Sequence, residues 1–304
     1  PRCFRTLLVP ILASSLFVFT ANEAPAQQRQ AADLPGLKIG QEEFDRRSAM
    51  GGYFPERMNN PNLTGHPSRF TITPPEKIPM DKIQVPPGFQ VELYAHGIPG
   101  GRMMTRGDKG TIFMGTRAIG RVYAVFEREG KRVSTVVADK LVQPNGVLFH
   151  KGSLYVIAID KVLRYDNIEA NLDNIPTPVD LSKAFGLPPE VHHNWKFLAI
   201  GPDGKIYVPV GAPCNVCELN SGIHGQIRRY NLDGSGMEIV ARGVRNSVGF
   251  DFHPNTGELW FTDNGRDWAG ENGFEEELNR VPSNMIGAHF GFPYCHANGL
   301  PDAD

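Results

Sequence analysis

From Ile83 onward the chain alternates short apolar runs, heavy in Val, Ile, Tyr and Phe, with polar breaks built from Gly, Asp, Asn and Pro. Runs this short, bounded by turn residues, predict β-strands, because a helix needs a longer segment with a 3.6-residue period. One phrase recurs four times: KGTIFMG from Lys109, KGSLYVI from Lys151, DGKIYVP from Asp203 and TGELWFT from Thr256. Its glycines, Gly110, Gly152, Gly204 and Gly257, are 42, 52 and 53 residues apart. A second strand is expected after each phrase, at RVYAVF from Arg121, KVLRYD from Lys161, QIRRYN from Gln226 and LNRV from Leu278. A sheet that repeats at such a period is the pattern of a β-propeller blade. The fold class expected is therefore all-β, a propeller of which four blades are visible. A ring of blades must close to cover its sheet edges and blade faces. The chain starts on Pro1 and stops on loop-type residues, Gly299 to Asp304. Further C-terminal blades are therefore expected.

The first residues have another texture. Arg2 and Arg5 precede an apolar run from Leu7 to Thr20, and Ala24-Pro25-Ala26 supplies small residues for cleavage. That is the arrangement of a secretory signal peptide over residues 1–26, and the run is shorter than the roughly 20 residues of a spanning helix. Export to the periplasm or the medium, without stable membrane insertion, is the expectation. Residues 27–80, rich in Gln, Pro, Asn and Arg, read as an extended arm, and 81–304 as the partial propeller domain.

Composition changes the picture in two ways. Lys and Arg number 31 against 33 Asp and Glu, so there is no basic excess with which to bind nucleic acid. Gly at 33 and Pro at 25 fit a fold with many tight turns. No GxGxxG, Walker, GxSxG or HExxH motif stands in a supporting context, so chemistry must come from the loops between blades.

Three loops carry candidates. His192-His193-Asn194-Trp195-Lys196-Phe197 precedes the third repeat, with eight residues from His193 to Gly201; a loop histidine suits general-base work, or is simply a satisfied surface group. Gly243-Val244-Arg245-Asn246-Ser247-Val248-Gly249 precedes the fourth, where Arg245 offers a planar fork of donors for an oxyanion; a turn held by Asn246 is the plainer alternative. Thr262 to Asp267 and Glu275 to Asn279 are oxygen-rich, which suits a hard cation such as Ca²⁺ or a solvated acidic loop. Cys214-Asn215-Val216-Cys217 has CxxC spacing without the histidine of a haem site, Glu218 standing there, and a disulfide is the leading reading. Zinc held by Cys214, Cys217 and Cys295 or His296 is the alternative.

The ordered set HHNWKFLAIGPDGKIYVPVGAP, GVRNSVGFDFHPNTGELWFTDNGRD, EELN and HFGFP resembles the soluble pyrroloquinoline quinone (PQQ)-dependent sugar dehydrogenases, in their glucose/sorbosone dehydrogenase branch, from about Pro86 onward. The resemblance implies a six-bladed β-propeller with PQQ and Ca²⁺ over the channel mouth. It makes His193 the catalytic base, Arg245 and Asn246 the pair beside the quinone, with Arg245 offsetting charge on the reduced carbonyl, and Gln143 of Gln-Pro-Asn-Gly a further cofactor contact. The backbone carbonyls of Gly265 and Arg266 fall where the family binds Ca²⁺. Two acidic positions of the family are His192 and Ala212 here, which puts substrate contacts and proton tuning apart from the glucose enzymes. The implied reaction is oxidation of an aldose or sorbosone-like sugar, with a quinone or cytochrome as electron acceptor; a homodimer is allowed for. Two other readings stand beside it. One is a calcium-dependent sugar lactonase of six-bladed type, with Asn145 and Asp263 as metal ligands; the other is a non-catalytic propeller that binds a partner.

Overall fold

The computed structural model describes residues 72–267, 275–297 and 299–302. The expected signal peptide and most of the arm lie outside the described residues. The part of the arm within them, 72–80, holds only 3-10 turns, at Pro75–Lys77 and Met80–Lys82. Residues 83–100, expected from their texture to begin the strands, contain a single bridge at Ala95. Pro86-Pro87-Gly88 and Pro99-Gly100 interrupt them, since proline withholds a ladder donor. This lead-in lies against the first blade: Ala95 and Ile98 pack on Tyr123 and Val125. The Arg132 guanidinium stacks 3.9 Å from the Tyr94 ring centre and donates to the Tyr94 carbonyl.

Four sheets follow in chain order. The first contains β1 (Gly101–Arg106), β2 (Ile112–Thr116), β3 (Val122–Arg128) and β4 (Lys131–Ala138). The second contains β5 (Gly146–His150), β6 (Ser153–Ile157), β7 (Val162–Tyr165) and β8 (Val179–Asp180). The third contains β9 (Ala199–Ile200), β10 (Ile206–Val210), β11 (Gln226–Tyr230) and β12 (Glu238–Arg242), and the fourth β13 (Phe250–Phe252), β14 (Leu259–Asp263) and β15 (Glu277–Val281). Each is an antiparallel meander, and the chain is an all-β propeller with four blades. The recurring phrase forms β2, β6, β10 and β14, and its expected partners form β3, β7, β11 and β15. The phrase glycine turns into the strand at φ between 70° and 86° each time, the left-handed conformation that glycine adopts without a Cβ penalty. One pairing had no signal in the repeats. β16 (Ala288–His289), which ends on the first residue of HFGFP, adds to β12 as a parallel fifth strand.

The core lies between blades, not within one. Phe113, Val122 and Ala124 of the first blade pack on Leu154, Val156 and Leu163 of the second. Ile157 and Val162 then pack on Ile206, Val208 and Tyr230, and Tyr207 and Ile227 on Phe250, Leu259 and Phe261. Strands covered on both faces are apolar throughout, which is why β10 reads Ile-Tyr-Val-Pro-Val with every residue buried. Stacked in this way, the blades present their lead-in loops on one rim.

Candidate functional site

Backbone hydrogen bonds stitch that rim from blade to blade. Thr116 N–H donates to Pro144 C=O at 3.1 Å, and Ala212 N–H to Arg245 C=O at 2.8 Å. The Asn145 side chain donates to Lys196 C=O at 3.1 Å. In each case the segment leading into the next blade's inner strand is tied to the preceding blade. Gln143, His193 and Arg245 therefore occupy successive steps of one rim.

His193 and Arg245 come together around Gly211. A Cβ built on Gly211 would stand 2.3 Å from the His193 carbonyl oxygen and 2.9 Å from that of Arg245. Only a residue without a side chain lets both loops close here. His193 itself sits at φ 48°, and its Nδ1 lies 3.1 Å from Ala212 C=O. A carbonyl can only accept, so Nδ1 carries the proton and Nε2 keeps its lone pair. Burial, then the Arg245 and His192 charges, bring the imidazole down to about 2, so it is neutral through the physiological range.

Arg245 is 2% exposed. Its Nε donates to Asn215 C=O at 2.8 Å, Nη2 to Asn215 Oδ1 at 2.6 Å and Nη1 to Asn264 C=O at 3.1 Å, while the Asp267 carboxylate lies 3.4 Å from Nη2. Burial lowers its pKa from the ordinary value despite Asp267 and Asp263 nearby. Among the described residues, one Nη1 hydrogen has no acceptor. Asp263 accepts the N–H groups of Arg245 at 2.8 Å and Asn246 at 2.6 Å, one on each oxygen. Asn246 C=O in turn accepts Asn264 N–H at 3.2 Å. Burial raises the Asp263 carboxyl to about 7.

Gly265 and Arg266 follow directly, their loop held by Gly265 N–H to Glu276 at 2.6 Å and by Arg266 to Asp302 at 2.6 Å. Gly265 lines one small cleft with Arg245, Asp263, Glu277 and His296. A larger hollow, of about 140 Å³, lies at the other end of the blades by Pro202 and Gly257, away from all the candidates. Gln143, at φ 50°, is one rim step from His193; its Oε1 and that of Asn145 Oδ1 are buried with no hydrogen-bond partner among the described residues.

The structure pairs Cys214 with Cys217 in a disulfide, as the spacing suggested, and no group of three or more metal-ligating side chains occurs among the described residues. That places the zinc alternative out of the described geometry. Several rim residues went unsingled in the sequence. Asn215 was visible only as a spacer between cysteines. Lys196 is buried, with Nζ donating to Asn194 C=O at 3.2 Å, and burial beside Arg228 holds its ammonium well below the usual lysine value. Arg117 stacks 3.4 Å from the Trp195 ring centre, burial and Arg102 lowering it to about 10. Only the polar letters inside HHNWK hinted at any of these.

Comparison with known proteins bears on the same region. The TrAA12-like family model matches residues 83–303. An uncharacterized protein of Borreliella burgdorferi is 33% identical over 221 residues, which are 70% of this chain and 56% of that protein. The Trichoderma reesei structure of carbohydrate-active enzyme family AA12 aligns with a TM-score of 0.53 at 20% identity in its iodide form, and 0.52 in its calcium form. Both alignments cover 67% of this chain and 59% of that one. The PQQ-bound aldose sugar dehydrogenase of Streptomyces coelicolor aligns at 0.48 with 18% identity, over 68% of this chain and 67% of that one. The chain thus spans little more than half the length of the relatives named first. With its four blades and the whole rim inside the matched residues, the chain belongs to the TrAA12-like family.

Proposed function

We propose that the protein is an exported quinoprotein that oxidises a hydroxyl-bearing carbon of a sugar, in the manner of the glucose/sorbosone dehydrogenases, with PQQ and Ca²⁺. The observation that carries the reading is a neutral histidine whose Nδ1 is committed to Ala212 C=O, set by Gly211 beside a buried arginine. The rim suits an anionic, carbonyl-bearing cofactor. Arg245 keeps one donor, and Gln143 and Asn145 keep buried polar atoms that need partners. The Gly265 and Arg266 carbonyls are hard oxygen donors of the kind Ca²⁺ takes, and the Trichoderma reesei relative has been solved in a calcium form. When bound, the quinone would supply the hydride acceptor and the calcium ion a Lewis acid.

The chain's own residues would do the rest. His193 Nε2 takes the substrate hydroxyl proton as hydride leaves the carbon. Arg245, Asn246 and Gln143 hold and orient the cofactor. Arg245 is a fixed positive charge whose geometry is already paid for by Asn215 and Asn264, so it needs no reorganisation when negative charge develops nearby. An anion beside Arg245 would offset the second cause of the low His193 pKa, while burial, the first cause, would persist.

The lactonase reading has less support, because both oxygens of Asp263 already accept backbone N–H groups. The test is dye reduction by the full-length protein with glucose, sorbosone and other aldoses, with PQQ and Ca²⁺ added singly and together. Reduction that needs both is expected. Lactone hydrolysis without PQQ, and no reduction with any sugar, would overturn the proposal. The natural acceptor, quinone or cytochrome, and a homodimeric assembly belong to the same proposal, as do the remaining blades of a six-bladed ring.

A further inference from the structure

We propose that Asn215 is a positioning residue for the rim, kept in place by the Cys214–Cys217 disulfide, so that opening the disulfide releases Arg245 and the backbone at Asp267. Asn215 makes four hydrogen bonds in two directions. Its main-chain carbonyl accepts Arg245 Nε at 2.8 Å and its Oδ1 accepts Nη2 at 2.6 Å, which grips the guanidinium along one edge. The same Oδ1 accepts Asp267 N–H at 2.8 Å, and Nδ2 donates to Asp267 C=O at 3.3 Å. One short side chain with both an acceptor and a donor is needed for this, and asparagine is the residue that supplies them at this length.

The disulfide closes a ring across three residue steps, with Cα atoms 6.1 Å apart. A loop this short removes little entropy from the unfolded chain, because the stabilisation grows with the length of the loop closed. Its contribution is local: it limits the conformations in which the Asn215 carbonyl and side chain can face Arg245 together. The Arg245 side chain is 3% exposed, so water cannot substitute freely if Asn215 withdraws. Asp267 stands immediately after Gly265 and Arg266, so the grip also sets the backbone that carries those carbonyls. The consequence for cofactor binding rests on the function proposed above; the mechanical coupling does not.

The experiment compares the full-length oxidised protein with protein treated with tris(2-carboxyethyl)phosphine. In that step the S–S bond breaks, the two sulfurs take up two electrons and two protons as thiols, and the phosphine is oxidised to its oxide with oxygen from water. Amide hydrogen exchange at Asp267 is read without any cofactor, alongside the melting temperature, and PQQ affinity is read by titration with Ca²⁺ present. Reduction, and Asn215→Ala in the oxidised protein, should each speed Asp267 exchange about tenfold and weaken PQQ binding about tenfold, the scale of one or two hydrogen bonds lost. Asn215→Asp keeps the acceptors for Arg245 and Asp267 N–H but loses the donor to Asp267 C=O, and should fall between the wild type and Asn215→Ala in Asp267 exchange. Unchanged Asp267 exchange in protein whose thiols titrate as reduced would overturn the inference. So would Asn215→Ala with wild-type exchange, which decides the matter even if the reduced protein unfolds. A wild type that binds no PQQ counts against the proposed function, and the exchange data then judge the coupling alone.

Discussion

Gly211→Ala is the sharpest test of how the rim is assembled. The backbone at Gly211 is not in the left-handed region, so alanine is locally allowed; its neighbours forbid it. The new Cβ would lie 2.3 Å from His193 O, 2.7 Å from His193 Cβ and 2.9 Å from Arg245 O. Ordinary contact begins near 3.4 Å, so the His193 carbonyl must recede by about 1 Å, and backbone cannot swing aside as a side-chain tip can. Overpacking of this kind costs about 1–3 kcal/mol, and each kcal/mol lowers the melting temperature by roughly 2–4 °C in a domain of this size. A displacement of that order at two reacting groups costs up to about a hundredfold in rate. Gly249→Ala is the control, since no atom of the described residues lies within 4 Å of a Cβ built there and its φ is ordinary. Calorimetry and steady-state kinetics on the three proteins are the assay. The reasoning fails if Gly211→Ala melts like Gly249→Ala, because the loops would then not meet at this glycine. If it melts lower yet turns over at the wild-type rate, His193 and Arg245 are not the reacting pair.

Further outcomes follow from single groups. His193→Asn keeps a donor for Ala212 C=O and tolerates φ 48°, but should lower turnover by about 10²–10⁴. It should also flatten the acid limb of the stability curve. The unfolded histidine binds a proton below about 6.5 and the folded one only near 2, so wild-type stability is complete above 6.5 and falls as pH drops, by at most about 1.4 kcal/mol per pH unit; urea melts at pH 4 and 7 read the difference. Lys196→Met removes a buried amine that is charged when unfolded and disfavours charge when folded. Wild-type stability should therefore rise relative to the variant as pH climbs from 7 toward 10.5, and a gap that does not narrow would refute the burial argument. Asp263→Asn turns an acceptor toward the Arg245 and Asn246 N–H groups into a donor, and should destabilise by about 1–3 kcal/mol, measured by the same melts.

The blades were legible because their information is local. A strand covered on both faces must be apolar along its length, and a tight turn needs a glycine at positive φ, so Gly110, Gly152, Gly204 and Gly257 mark the period directly. The start of the first blade was less so. Residues 83–100 have strand-like composition, yet prolines and glycines cut them into pieces too short to pair, and they serve as packing for Tyr123 and Val125. The parallel strand at Ala288–His289 was not legible at all, since two residues carry no periodicity and their partner lies in the third blade.

At the rim the division falls differently. The places of His193, Arg245, Asn246, Gly265 and Arg266 on the rim were legible because each lies close to a repeat, while the roles proposed for them come from the family resemblance. Their support was not reachable, since it joins loops far apart in the sequence, most of it across blades. Asn215 meets Arg245 at a separation of 30 residues and Asp267 at 52. Asp263 meets the Arg245 N–H at 18. The separations of 30 and 18 residues do not follow from a blade period, and although 52 equals one, a bare Asn or Asp in a loop has many other uses. The guanidinium is buried among its own partners. Two asparagine oxygens, one carbonyl and one carboxylate already balance it, which among the described residues leaves a single directed donor for the anionic cofactor proposed above. A site arranged so holds its cation fixed before the ligand arrives, and the selectivity of the rim then depends on how rigidly Asn215 is held.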